Sequence, residues 1–231
     1  MPILKDDRPV GAAVEDYAKA IYALAARTDG VGVTTNALAE RLGVTPASAS
    51  AMVKKLDGLG LATHRPYHGV QLTPAGAKVA LEVMRHHRLL ELYLAEELGL
   101  PWDRVHQEAE VLEHVLSEEV EALIADKLGN PTHDPHGDPI PTADGAIDEC
   151  ATAALDELPP GSCGTFTRIS DADPEMLRYL AAREIFPGDS FEVVDKQPFG
   201  GPTFARFAAA GDDVHVLGGD LARAMRVELA P

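Results

Sequence analysis

The chain has 231 residues, a hydrophobic fraction of 45% and a formal net charge of −17, from 20 Lys and Arg against 37 Asp and Glu. No apolar run approaches the ~18 residues of a membrane helix, and the charged N-terminal segment lacks the apolar core of a signal peptide, so we expect a cytoplasmic protein with no membrane partner. Its two cysteines form no CxxC motif, which excludes a disulfide scaffold and a cysteine-rich zinc module.

The first 74 residues predict three helices and a hairpin. The predicted helices are 14–27, 35–42 and 46–56, and the predicted strands are 61–66 and 69–72. This order is typical of a winged helix-turn-helix, so we assign residues 1–74 to a DNA-binding domain. The segment carries 8 basic and 7 acidic residues and lacks the acidity of the remaining chain. A small protein-binding helical domain is the alternative.

Two long helices are predicted next, over 75–98 and 102–128, and they carry more apolar surface than one helical hairpin can bury. The excess indicates a homodimer interface. We take residues 75–141 as a helical dimerisation and metal-binding domain and 142–160 as a linker.

Residues 161–231 change character and predict a small β-barrel of the SH3-like type. Five short strands are expected near 163–169, 190–195, 203–208, 213–216 and 224–229, with one helix over 174–183. The predicted fold class is therefore a multidomain α+β protein with a winged helix, a helical domain and a barrel.

Metal-ligand residue types concentrate on the two long helices. His106, Glu110, Glu113 and His114 have the spacing i, i+4, i+7 and i+8 of one helical face. His87 and Glu91 form a further i, i+4 pair on the preceding helix. A His and carboxylate face without thiols suits a borderline or hard divalent ion. The alternative is a solvated acidic helix face.

Other patterns predict less. The loop 133–138 also contains His and Asp residues, but a proline-rich loop of this kind is typical of a simple turn. Neither cysteine has a partner motif, so both are expected to be free thiols. GxSxG, Walker A and HExxH motifs are absent from the sequence.

Taken together, three segments resemble the diphtheria-toxin-repressor family of metal-dependent transcriptional repressors. They are MRHHRLLE (84–91), VHQEAEVLEHVLSEEVE (105–121) and HGDPIP (136–141). The resemblance covers essentially the whole chain and implies two metal ions per subunit. The implied primary site is Asp16, Glu110, Glu113 and His114, and the implied ancillary site is His87, Glu91, His106 and Asp173.

Two positions of the primary site point to the manganese-responsive branch. Iron-responsive members place methionine and cysteine where this chain has Asp16 and Glu110. Because carboxylate oxygens suit Mn²⁺ better than sulfur ligands do, we expect Mn²⁺ as cofactor, with Fe²⁺, Co²⁺ or Zn²⁺ as possible substitutes. Lys19 stands where some manganese-responsive relatives carry a glutamate ligand. Met176 stands where iron-responsive relatives offer an amide.

The resemblance also implies a double-stranded palindromic DNA operator as partner. The candidate DNA-binding residues are Thr45, Pro46, Ala47, Ser48, Ser50, Lys54 and Arg65, the last two as phosphate contacts. The predicted function is a Mn²⁺-activated homodimeric repressor of manganese-uptake genes. The alternatives are an iron- or zinc-activated repressor of the same family and, from another class, a two-metal hydrolase.

Overall fold

A computed structural model describes residues 11–26, 32–65, 68–148 and 150–230. The chain forms two compact units, each assembled from segments that are distant in sequence. The first unit contains Met1–His87, Glu110–Lys127 and Pro141–Ile147, and the second contains Arg88–Ala109, Leu128–Ile140 and Asp148–Pro231. The predicted domain boundaries at 74, 141 and 160 stay predictions.

The first unit begins with a three-helix domain and a hairpin. The elements are α1 (Ala12–Ala25), α2 (Thr35–Arg41), α3 (Pro46–Gly58), β1 (Ala62–Arg65) and β2 (Gly69–Leu72), with the two strands antiparallel. Thr45 caps α3 because its side chain accepts a hydrogen bond from the Ser48 N–H at 3.1 Å, and Pro46 follows at the first helical position. A core including Ile21, Leu38 and Leu56 holds the helices together. The predicted order of elements is present.

The helical segment contains three helices where two were predicted. They are α4 (Pro74–Glu96), α5 (Val105–Leu112) and α6 (Glu118–Lys127). The predicted continuous helix 102–128 is wrong, because the chain turns after Leu112 and restarts with Ser117, whose hydroxyl accepts from the Val120 N–H at 3.3 Å. Acidic residues in the first turn of α6 further favour a helix start there. Glu113 therefore leaves α5 and lies in a turn.

The second unit is built around a six-stranded antiparallel sheet in the order β3-β8-β4-β5-β6-β7. Its elements are β3 (Ala153–Ala154), β4 (Cys163–Ile169), α7 (Pro174–Ala181), β5 (Ser190–Lys196), β6 (Thr203–Phe207), β7 (His215–Leu217), α8 (Gly219–Ala224) and β8 (Met225–Leu229). The sequence predicted five strands. The sixth strand, β3, is only two residues long and lies in the segment predicted as a linker. It pairs with β8. Phe166 and Phe207 are fully buried in this core.

No described helix is both long and apolar enough to cross a membrane.

Candidate metal centres

Asp16, Glu113 and His114 form a compact donor cluster in the first unit. Each contributes one ligand atom, and these atoms all lie within 4.8 Å of one another. His114 Nε2 is 2.9 Å from Asp16 Oδ1 and 3.5 Å from Glu113 Oε1. Asp16 comes from α1, whereas the other two come from the turn after α5. The structure thus brings three of the four predicted primary ligands together across almost one hundred residues.

Glu15, which no sequence pattern predicted as a site residue, orients His114. His114 Nδ1 lies 2.6 Å from Glu15 Oε2, and the Glu15 side chain is almost fully buried. A hydrogen bond donated by Nδ1 leaves Nε2 free to act as the ligand atom, which is the usual arrangement around metal-binding histidines. One feature of the sequence could have predicted this role: Glu15 is a carboxylate on the apolar face of α1, between Val14 and Tyr17 and next to Asp16.

Glu110, the fourth predicted primary ligand, lies in an overlapping cluster with His87 and Glu113. The Lys19 ammonium lies between the two glutamates, 2.7 Å from Glu110 Oε1 and 2.8 and 2.9 Å from the two Glu113 oxygens. His87 Nδ1 is 2.5 Å from Glu113 Oε2. His87 was predicted for the ancillary site, and that assignment stays a prediction.

The charged groups of this cluster change one another's pKa values. Burial raises the pKa of Asp16 above its usual value, although His114 and Lys19 act against it. Burial alone would also raise the pKa of Glu113, but the hydrogen bond with His87 and the charge of Lys19 outweigh burial and lower it. For Lys19, burial is outweighed by Glu113 and Glu110, so its pKa is raised. The ammonium and Glu113 are thus both charged at neutral pH.

These residues fit a divalent cation. The donors are carboxylate oxygens and one imidazole nitrogen, which suit borderline and hard ions, and the histidine is already held in the required orientation. Glu113 Oε1 contacts the Lys19 ammonium and Oε2 contacts His87 Nδ1, and both partners favour the charged form of this carboxylate.

A second cluster lies within the second unit around Glu91 and His106. His106 Nδ1 is 3.3 Å from Glu91 Oε1 and 2.7 Å from Asp171 Oδ2. Glu91 comes from α4, His106 from α5, and Asp171 from the loop between β4 and α7. Glu91 and His106, two of the predicted ancillary ligands, are therefore close together, and a carboxylate from the loop after β4 lies beside them.

That carboxylate is Asp171 and not the predicted Asp173. Asp173 is exposed and caps α7, because its side chain accepts a hydrogen bond from the Glu175 N–H at 2.9 Å. The loop before α7 places Asp171, two residues earlier in the chain, towards His106. Met176 packs against the core of the sheet domain.

We expect Asp171→Asn to weaken Mn²⁺ binding at the ancillary site by about tenfold or more, because a ligand carboxylate is lost. Asp173→Asn should leave this affinity unchanged, since asparagine also caps helices well. Calorimetric Mn²⁺ titration of both variants provides the measurement. The opposite ranking of the two variants would restore Asp173 as the ligand.

The protonation of His106 predicts a pH dependence. Asp171 and Glu91 outweigh burial and raise the pKa of His106 to about 10, so the metal-free protein carries this proton at pH 7.5. A metal-ligating histidine must be neutral. We therefore expect Mn²⁺ binding at the ancillary site to release at least one proton, and its affinity to rise about tenfold per pH unit below that pKa.

Titrations at pH 7.5 in two buffers of different ionisation enthalpy measure the released protons. Asp171→Asn removes the largest cause of the raised pKa and should reduce the release. Binding without proton release in the unchanged protein contradicts the assignment of His106.

The candidate DNA-binding residues lie on the surface of the first unit. Thr45, Pro46, Ala47 and Ser48 form the exposed start of α3, and Ser50 is half-buried one turn later. Lys54 on α3 and Arg65 at the end of β1 are also exposed. An exposed helix N-terminus with hydroxyl side chains can donate hydrogen bonds to phosphates.

Comparison with protein families finds three matches in chain order. Residues 10–70 match the N-terminal DNA binding domain of the iron dependent repressor, and residues 73–142 match its metal binding and dimerisation domain. Residues 153–229 match the FeoA domain.

Several characterised proteins are similar over nearly their whole length. The iron-dependent repressor IdeR of Mycobacterium tuberculosis is 32% identical over 226 residues, which cover 93% of this chain and 96% of the relative. The diphtheria toxin repressor of Corynebacterium diphtheriae is 32% identical, with the same coverage. A solved structure of a manganese-dependent transcriptional repressor complex with manganese is 41% identical, with a TM-score of 0.84, covering 94% of this chain and 100% of that chain.

Proposed function

The chain belongs to the diphtheria toxin repressor family of metal-dependent transcriptional repressors, and on this basis we propose that it is a Mn²⁺-activated homodimer that represses manganese-uptake genes. Membership in this family of DNA-binding repressors excludes the two-metal hydrolase that the sequence left open. The protein would act in the cytoplasm, on a palindromic operator, with two ions per subunit.

The observation that carries the choice of Mn²⁺ is the sulfur-free donor set of the primary site. Asp16, Glu110 and Glu113 offer carboxylates, and no cysteine or methionine stands among the described donors of this cluster. Oxygen donors do not favour the softer ions that thiolates and thioethers select. The similarity to a manganese-dependent repressor solved with manganese supports the same choice.

Coupling between metal and DNA is proposed to run through α1. This helix belongs to the three-helix domain whose α3 carries the candidate DNA-binding residues, and it also contributes Asp16, Glu15 and Lys19. Asp16, Glu113 and His114 would hold the ion, and its positive charge would offset the two carboxylates. Through that ion, Asp16 and His114 would hold α1 against the turn after α5, and this contact would fix the orientation of α3. Linkage requires that operator DNA strengthen metal binding by the same factor.

An exposed apolar surface on α5, on α6 and on the turn between them supports the homodimer. Val111, Val115 and Leu123 are 70%, 76% and 63% exposed, although soluble proteins rarely leave such a set uncovered. The matched dimerisation domain spans these residues. A second copy of the chain is the proposed cover, and two copies would present two α3 helices to the two halves of a palindrome.

The second candidate is an iron- or zinc-activated repressor, since the similar protein of Mycobacterium tuberculosis is named an iron-dependent repressor. Binding of the protein to the promoter of a manganese transporter from the same genome, measured by electrophoretic shift, separates the two candidates. Metal-free protein receives Mn²⁺, Fe²⁺, Co²⁺ or Zn²⁺ in turn at fixed salt. The proposal is supported if Mn²⁺ produces the shift at a lower free concentration than the other three ions do. Activation by Fe²⁺ or Zn²⁺ alone overturns the choice of ion.

A further inference from the structure

His86 is a buried residue between the primary metal ligands and α6, and the proposed function does not yet use it. It stands one position before His87 on α4 and is 1% exposed. Both nitrogens of its ring meet hydrogen-bond acceptors. Nδ1 donates to the Glu113 carbonyl oxygen at 3.2 Å, and Nε2 donates to Glu121 Oε2 at 3.2 Å. The ring thus joins α4 both to the turn after α5 and to α6.

The carbonyl that His86 holds belongs to the peptide that links Glu113 to His114, two candidate ligands of the primary site. Helix α5 ends at Leu112, so this carbonyl lies beyond the helix. A buried carbonyl at such a place needs a partner from elsewhere in the fold. His86 supplies that partner from α4. Its hydrogen bond restrains the plane of the peptide between the two ligands, and that plane sets the direction of both side chains.

The far side of the His86 ring is held as well. Glu121 Oε1 accepts a hydrogen bond from Arg85 Nε at 2.5 Å, and Arg85 also donates to the Pro141 carbonyl oxygen at 2.8 Å. Glu121 is buried, although it lies in the acidic first turn of α6. A buried polar network whose members have their partners is rigid. His86 therefore has a fixed place from which to hold the Glu113 carbonyl.

From this geometry we propose that His86 is a positioning residue of the primary metal site and acts through the Glu113 carbonyl. It is not itself a ligand, because both ring nitrogens already have partners. Residues behind metal ligands hold them in the orientation that the ion requires, and their loss costs about 10–100-fold in metal affinity. The inference rests on the proposed function, because it assumes that Glu113 and His114 bind the activating ion.

Two substitutions separate positioning from stability, because each preserves a different half of the ring. His86→Asn can place an amide N–H near Nδ1 and keep the bond to the Glu113 carbonyl, but it loses the bond to Glu121. His86→Gln can place an amide N–H near Nε2 and keep Glu121, but it releases the carbonyl. Because hydrogen bonds to charged groups contribute more to stability, His86→Asn should be the less stable of the two. His64→Gln is the matched control, since His64 is an exposed histidine of the same unit.

The variants are made in full-length protein that also carries His106→Gln and Asp171→Asn, so that the primary site dominates binding. The probe is Mn²⁺ alone. The readouts are calorimetric affinity, the unfolding midpoint without metal, and the zero-field splitting of bound Mn²⁺ in electron paramagnetic resonance. We expect His86→Gln to weaken Mn²⁺ binding about tenfold or more and to change the splitting. His86→Asn should bind nearly as tightly as the parent with the same splitting, despite its lower stability, and His64→Gln should match the parent.

Parent affinity in His86→Gln, or affinities that follow the order of the unfolding midpoints, would show a role in stability only and overturn the proposal. If His86→Gln fails to fold, a loss of affinity of about tenfold in His86→Asn overturns it equally. A parent protein that binds no Mn²⁺ refutes both the positioning role and the primary site. Mn²⁺-dependent operator binding by the unchanged chain is measured separately, so a failure of the His86 ranking alone leaves the proposed function standing.

Discussion

Asp16→Asn should weaken Mn²⁺-dependent operator binding by about 100-fold or more, which corresponds to about 2.7 kcal/mol. Asp16 is the proposed ligand that comes from α1, and its Oδ1 lies 2.9 Å from Nε2 of His114 in the turn after α5. An amide keeps the size of the side chain and removes the charge that attracts the ion. Because the Asp16 side chain is 36% exposed, the metal-free fold should tolerate the change.

Electrophoretic shift across a Mn²⁺ titration measures this effect, and thermal unfolding without metal tests whether the fold is kept. Glu110→Gln should reduce operator binding in the same way. Glu108→Gln is the matched control, because Glu108 is exposed and lies two residues earlier on the same helix. Wild-type Mn²⁺ activation in Asp16→Asn would exclude Asp16 as an activating ligand.

Lys19→Met should have two opposite effects, a less stable metal-free protein and tighter Mn²⁺ binding. The ammonium contacts both Glu110 and Glu113, and the Glu113 side chain has no exposed surface. Its removal leaves two carboxylates facing each other with only His87 and His114 to compensate. We expect the free energy of unfolding of the metal-free protein to fall by about 1–3 kcal/mol. The lower end of this range applies because Glu110 is 41% exposed and its charge is screened by solvent.

The same removal benefits a bound ion. Lys19 competes with the cation for the oxygens of Glu113, so a methionine of similar length should raise Mn²⁺ affinity about tenfold. Unfolding midpoints with and without Mn²⁺, together with calorimetry, measure both effects. Lys78→Met on the exposed face of α4 is the control. Weaker Mn²⁺ binding in Lys19→Met would mean that the ammonium supports the metal-bound form.

Helix α5 illustrates how far local spacing predicts the primary site. The i, i+4 spacing of His106 and Glu110 requires only that α5 is helical, and it is. The spacing of Glu113 and His114 predicts the same helical face, but both residues lie beyond the end of α5. The Ser117 cap and the acidic start of α6 were visible in the sequence. The regular apolar spacing through Leu112 and Leu116 obscured them.

The sequence by itself determined the order of elements in the three-helix domain and its hairpin, the sulfur-free donor set and the family. Local propensity, capping and residue type govern these properties, and all of them can be evaluated within a few neighbouring residues. Only the tertiary structure decided that Asp171 and not Asp173 faces His106, that Glu15 orients His114, and that Lys19 lies between Glu110 and Glu113. These contacts join residues 65 to 99 positions apart, where a rotation of one loop or helix exchanges one side chain for its neighbour. Packing of whole elements fixes that rotation, and no local pattern in the sequence records it.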